Sequence, residues 1–199
     1  MKKKLIAAAC GLLVSGVVCA DDMKFYVGGD LGYNKLGYYN DLKNYIGSFT
    51  GGKIKSKVPS LGLLGGINFH ENFGAEVGYD FYRKAKASFT NRLGDYGMKL
   101  QNMHLDVLGY VPFNQCFDFV GSVGVGQARV KEINDTWSNG NSGEKYNKIG
   151  FRLGAGMQYN IDCNFAARAM VGYQQVGKKN SLPWLQNLTS VKLGLTYTI

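Results

Sequence analysis

From Met23 to Ile199 the chain repeats runs in which apolar side chains take every second position, separated by connections that are alternately short and long. Period two sends successive side chains to opposite faces of a strand, and a tilted run of about ten such residues spans a bilayer. The first run places Phe25, Val27, Gly29, Leu31 and Tyr33 on one face and Tyr26, Gly28, Asp30 and Gly32 on the other. The second, over 60–69, carries Leu61, Leu63, Ile67 and Phe69, and the third, over 73–82, carries Phe73, Ala75, Val77, Tyr79 and Phe81. Met103, Leu105, Val107 and Val111 mark the fourth, and Phe117, Phe119, Val123 and Val125 the fifth. The sixth has Ile149, Phe151, Leu153, Ala155, Met157 and Tyr159; the seventh Phe165, Ala167, Ala169, Val171 and Tyr173; the eighth Val191, Leu193, Leu195, Tyr197 and Ile199. The pattern predicts an all-β fold, an eight-stranded antiparallel up-and-down transmembrane β-barrel, with both termini on one side because the strand number is even.

A soluble barrel with an apolar interior shows the same alternation, so the direction of the two faces needs a separate argument. Gly28, Gly32, Gly62, Gly66, Gly74, Gly78, Gly124, Gly126, Gly150, Gly154, Gly156, Gly172 and Gly194 lie on the polar parity, against Gly29, Gly65, Gly109 and Gly121 on the other. An eight-stranded barrel has little room inside. Small residues therefore face the lumen, and the bulky apolar band faces lipid. Aromatic belts are expected at both boundaries: Phe69, Phe73, Phe113, Phe117, Tyr159 and Phe165 on the short-turn side, and Tyr33, Tyr79, Phe81 and Tyr173 on the other.

Residues 1–20 read as a secretory signal peptide, with Lys2, Lys3 and Lys4 ahead of an apolar stretch and Val18-Cys19-Ala20 as the cleavage site. Residues 21–199 remain as one outer-membrane barrel domain, whose net charge falls from +9 to 9 − 3 = +6. No later segment is apolar for long enough to be a membrane helix. Cys10 and Cys19 leave with the leader, and Cys116 and Cys163 stay.

Short turns belong to the periplasm and long loops to the exterior. The loops at 34–57, 83–102, 131–148 and 176–189 are then extracellular, in a bacterial outer membrane with periplasmic termini. They are basic, with Lys35, Lys43, Lys53, Lys55 and Lys57 in the first, Arg83, Lys84, Lys86 and Arg92 in the second, and Lys178 and Lys179 in the fourth. Lysines there solvate loops and balance lipopolysaccharide phosphates; they also offer a docking surface for acidic glycans or host proteins. Lys53, Lys55 and Lys57 project the same way from extended backbone, and Tyr38, Tyr39 and Tyr45 add aromatic area suited to sugar rings or protein.

The chain resembles the small outer-membrane barrels of the OmpA transmembrane, OmpX and opacity-type surface-antigen families over its whole mature length. The most specific match is the last strand, Lys192-Leu193-Gly194-Leu195-Thr196-Tyr197-Thr198-Ile199. It is similar to the signal with Gly and two aromatics that the barrel-assembly machinery reads, here Gly194, Tyr197 and, in place of the usual Phe, Ile199. The resemblance implies surface exposure, adhesion or serum resistance, or membrane integrity; because the sequence stops at the eighth strand, the peptidoglycan-binding domain of full-length OmpA is not expected.

Six inward charges, Glu76, Asp80, Asp106, Arg152, Arg168 and Lys192, are expected to plug the lumen as ion pairs. Glu76 is three residues above Phe73 and Arg168 three above Phe165, so these two should meet across it; Asp80 should meet Arg152 and Lys192 in a second layer. Cys116 and Cys163, in neighbouring periplasmic turns of an oxidising compartment, are expected to form a disulfide. His70 and His104 have no evident nucleophile nearby, and metal-ligand spacing is lacking. The expectation is a non-enzymatic surface protein, without cofactor or nucleic-acid partner, whose barrel scaffolds basic loops for adhesion. The alternative is a structural envelope barrel or narrow porin-like channel.

Overall fold

The computed structural model describes residues 23–38, 53–54, 57–83, 85–88, 96–134, 145–176 and 185–199. The strands are β1 (Lys24–Tyr38), β2 (Lys53–Ile54), β3 (Lys57–His70), β4 (Phe73–Tyr82), β5 (Ala85–Ser88), β6 (Tyr96–Pro112), β7 (Phe117–Asn134), β8 (Lys145–Asn160), β9 (Phe165–Gln175) and β10 (Leu185–Thr198). Eight of them form a ring in the order β6-β4-β3-β1-β10-β9-β8-β7, which the β6–β7 pairing closes. All neighbours are antiparallel, so the fold is an up-and-down barrel with no free edge. The signal peptide expected at 1–20 lies outside the described residues.

Through the membrane section odd residues pair with odd, as in Leu31↔Leu61, Leu61↔Phe81, Val107↔Val123 and Val123↔Leu153. One apolar parity therefore continues around the ring. Odd side chains such as Leu31, Leu63, Val111 and Leu193 are exposed, whereas Tyr26, Leu108, Tyr110 and Val120 form a buried cluster inside.

The glycines obey the same division. A Cβ at outward Gly109 or Gly121 would meet nothing within 4 Å. At inward Gly66, Gly78 and Gly124 it would collide with Tyr26, His104 and Asp106 respectively. Inward glycine marks places where a neighbouring strand's side chain crosses.

At the external end the strands run further than the apolar alternation suggests. β1 reaches Tyr38, β6 begins at Tyr96, β7 reaches Asn134 and β8 begins at Lys145. The outer face turns polar there, at Lys35, Lys57 and Lys99, while inward Leu36, Val58, Leu100, Val130, Val176 and Leu188 stay buried. A strand needs its ladder and one packed face; lipid is not required on the other. Residues 85–88 and 96–98, read as loop, pair as Ala85↔Met98 to Ala87↔Tyr96. β2 adds to β5 as Lys53↔Ser88 and Ile54↔Ala87.

Two periplasmic turns share one construction. In Phe113-Asn114-Gln115-Cys116-Phe117 the N–H of Phe113 donates to Phe117 O at 2.8 Å, and Asn114 Oδ1 accepts from Cys116 and Phe117 N–H at 2.9 Å each. In Ile161-Asp162-Cys163-Asn164-Phe165 the corresponding backbone bond is 2.9 Å, and Asp162 Oδ1 accepts from Asn164 at 2.8 Å and Phe165 at 2.7 Å. Those bonds, Phe165 N–H first, hold the Asp162 carboxyl below the usual carboxylate range.

Candidate functional site

Two regions carry chemistry: the lumen and the external rim. In the lower lumen Arg168, 7% exposed, donates from Nη1 to Glu76 Oε2 at 2.6 Å. Tyr26 OH donates to the same oxygen at 3.0 Å, and Arg168 Cζ sits 5.6 Å from the Tyr26 ring centroid. Arg168 Nε and Nη2 reach Gln158 Oε1 at 3.2 and 3.0 Å, and Nη2 reaches Tyr110 OH at 3.3 Å. Each guanidinium nitrogen is thus engaged, which is the condition for a buried charge to persist.

Higher in the lumen Lys192 Nζ contacts both Asp30 Oδ2, at 3.3 Å, and Asp80 Oδ1. Arg152 Nε donates to Asp106 Oδ1 at 3.1 Å and Nη1 to Gln174 Oε1 at 3.0 Å. His104 stands between two carboxylates, with Nδ1 3.1 Å from Asp106 Oδ2 and Nε2 3.7 Å from Asp80 Oδ2. Arg152 therefore serves Asp106 instead of the expected Asp80, whose ion-pair partner is Lys192.

The ladder explains these partners. Asp106, Gly124 and Arg152 lie in one row across β6, β7 and β8, and the missing side chain at Gly124 lets the arginine reach over. Tyr26, Gly66 and Glu76 repeat the arrangement across β1, β3 and β4. Asp30, Gly62 and Asp80 do so again, with Lys192 bridging the carboxylates. Asp30, Tyr26, Tyr110 and His104 complete the network. All share the even parity of the six charges singled out from the sequence, so parity was the signal available for them.

Around the lower layer of this network the lumen is filled by Tyr26, Leu108, Tyr110 and Val120, with Leu64 and Met170 packed on them. Above it Leu36, Val58, Leu100, Val130, Val176 and Leu188 are buried. The space left around Asp30, His104, Ser122 and Arg152 is about 60 Å³, room for a few waters.

Cys116 and Cys163 are free, exposed thiols, which corrects the expected disulfide. Cys116 lies in register with the end of β8, its carbonyl accepting from Asn160 N–H at 2.7 Å. Cys163 sits three residues later in a turn that closes toward β9, so the two occupy different positions of similar turns on opposite sides of β8.

His70 lies in a periplasmic turn with Nδ1 accepting from Asn72 N–H at 3.1 Å. Among the described residues there is no cluster able to hold a metal. Of the patch residues, Tyr38 ends β1, Lys53 lies in β2 and Lys57 starts β3 with its side chain exposed; Tyr39, Tyr45 and Lys55 lie outside the described residues.

In β10, Gly194 packs inward on Asp30, and Ile199, just past the strand, donates its N–H to Phe25 O at 2.8 Å. The Tyr197 ring lies tilted against Phe165, centroids 4.8 Å apart. Phe117 and Tyr159 pair at 4.7 Å and Phe113 and Phe119 at 5.5 Å, so cross-strand aromatic contacts gather at the periplasmic boundary.

A family model for the OmpA-like transmembrane domain matches residues 20–199. Among curated proteins none matches the chain in sequence. Solved structures share the fold. Neisserial surface protein A is 14% identical with a TM-score of 0.65, covering 90% of this chain and 100% of its own. OprG of Pseudomonas aeruginosa is 15% identical with a TM-score of 0.61, covering 88% and 95%. Ail, the attachment invasion locus protein of Yersinia pestis, was solved with the heparin analogue sucrose octasulfate; it is 17% identical with a TM-score of 0.52, covering 89% and 97%.

Proposed function

The chain belongs to the OmpA-like transmembrane domain family, and from that premise we propose that this outer-membrane protein attaches the cell to external partners through its first two loops. The barrel is the scaffold. The observation that carries the reading is the β2–β5 pairing, Lys53↔Ser88 and Ile54↔Ala87, which joins the first loop to the second above the membrane. The ladder sets one short segment of each loop side by side. The ligand class follows from charge: Lys53, Lys55 and Lys57 favour an acidic glycan or acidic protein surface, with Tyr38, Tyr39 and Tyr45 for sugar rings. Ail's complex with a sulfated heparin analogue is a precedent in the same fold. The last strand, through Gly194, Tyr197 and Ile199, is the segment for the assembly machinery to read.

Such binding is multivalent, weakens with salt and ignores substitutions in the lumen. Deleting residues 40–55, with folding checked by heat-modifiable gel mobility, is expected to abolish most adhesion of expressing cells to sulfated glycans. Adhesion unchanged by the deletion would return the protein to the structural-barrel alternative.

A further inference from the structure

The lumen changes character at its external mouth. On β1 the inward position after buried Asn34 is Leu36, on β6 the one before buried Asn102 is Leu100, and just past β9 the one after buried Gln174 is Val176. Val58, Tyr82 and Leu188 stand in the same relation to Ser60, Asp80 and Ser190. On six strands the wall thus passes from a buried polar residue to a buried apolar one in a single inward step. β7 adds Ala128 and Val130. On β8 a Cβ at Gly150 would collide with the Gln175 backbone, so the chain beside Val176 closes over that strand.

These residues form one layer. Leu36 is the register partner of Leu188, and Leu100 that of Val130. None of them is more than 8% exposed. Tyr82 joins the layer to the network beneath, its hydroxyl donating to Asp80 Oδ2 at 3.4 Å. The outward neighbours of Leu36, Val58 and Leu100 are exposed Lys35, Lys57 and Lys99, so the layer lies beyond the apolar outer band and packs on itself.

Beneath the layer the lumen is polar, with the ionic rows and a space of about 60 Å³ around Asp30, His104, Ser122 and Arg152. Polar walls do not exclude water, because a hydrogen bond within the protein can be exchanged for one to water. An apolar constriction offers no such exchange and stays dry. We propose that the layer is a hydrophobic gate, the barrier that keeps water and ions of the medium out of the lumen, while the ionic network beneath fixes the strands without sealing them. Leu36 and Val58 stand at the stems of the first loop, Tyr82 and Leu100 at those of the second, and Val176 and Leu188 at those of the fourth. The gate is carried by the loop stems, and it does not depend on what the loops bind.

The test uses the full-length mature protein folded in neutral phosphatidylcholine nanodiscs. C116S/C163S removes the native thiols, and S190C places a reporter at a buried position one inward step beneath Leu188. The cluster of Tyr26, Leu108, Tyr110 and Val120 fills the periplasmic half, so the external mouth is the route under test. The probe is methanethiosulfonate ethyltrimethylammonium, a small cation that modifies thiols reached by water. The gate variants are L36S/L188S and L100S/V130S, the two register pairs. The control is D106N/R152Q, which removes an ion pair beneath the layer and leaves the net charge unchanged. Each protein is checked for heat-modifiable mobility. The reporter is expected to react at least about tenfold faster in either gate variant than with the gate intact, and within about twofold of the intact rate in the control. Should the serine pairs not fold, L188A and V130A decide the matter by the same rates. Equal rates with and without gate substitutions, or an acceleration in D106N/R152Q as large as in the gate variants, would overturn the proposal. So would a reporter behind the intact gate that reacts as fast as the exposed Cys116 thiol of the unsubstituted protein.

Discussion

Replacing Arg168 with methionine is expected to lower the unfolding free energy of the barrel by about 3 to 5 kcal/mol, measured by urea titration in lipid vesicles. The substitution fills a similar volume but strands Glu76, whose side chain is 8% exposed and whose remaining described donor is Tyr26 OH at 3.0 Å. Gln158 and Tyr110 lose the guanidinium as well. The cost comes from the carboxylate left behind, so the double variant R168M/E76Q should recover most of the loss. In it Tyr26 OH can still donate to the amide oxygen. A double variant as unstable as R168M alone would place the cost in packing and not in the unpaired charge.

Val107→Arg should be the next most damaging change, at about 2 to 4 kcal/mol for a basic residue on the lipid face near the bilayer midplane. Val107 is 42% exposed, and its register partners Ala75 and Val123 are also outward and apolar. Of the described acidic side chains Glu71 alone has that parity, and it lies in a periplasmic turn, so the guanidinium must stay in hydrocarbon or drag headgroups and water toward it. The same change at Gln127, exposed at the external end of β7, should cost about 0 to 1 kcal/mol. The comparison is read in one lipid-refolding titration. Equal costs at the two sites would invert the assignment of the faces.

Most of the barrel was legible in the sequence because period two has a single physical cause. One face met lipid, the other met a lumen too narrow for large side chains, and Gly66, Gly78 and Gly124 record where that lumen is crowded. The external ends were not legible. At Lys35, Lys57 and Lys99 the outer face exchanges lipid for water while Leu36, Val58 and Leu100 still pack inside, so the alternation loses contrast before the strands end.

Within the site, inward parity identified the charged residues, and depth along the strands brought Glu76 and Arg168 to one level. The choice of Asp106 for Arg152 depends on the hydrogen-bonded row through Gly124, which needs the register of three strands at once. The cysteines illustrate the same limit. Neighbouring turns suggested a bond, but Cys116 is the fourth residue of its turn and Cys163 the third of its own, and both thiols are free.

The barrel body is expected to be a sealed scaffold, with recognition left to what it displays outside. Planar-bilayer recording of the wild-type protein tests it directly. The ionic rows, the apolar fill around and above them and a residual space of about 60 Å³ predict a baseline without stable openings. Large, long-lived single-channel steps would contradict it and make the lumen the functional part of the molecule.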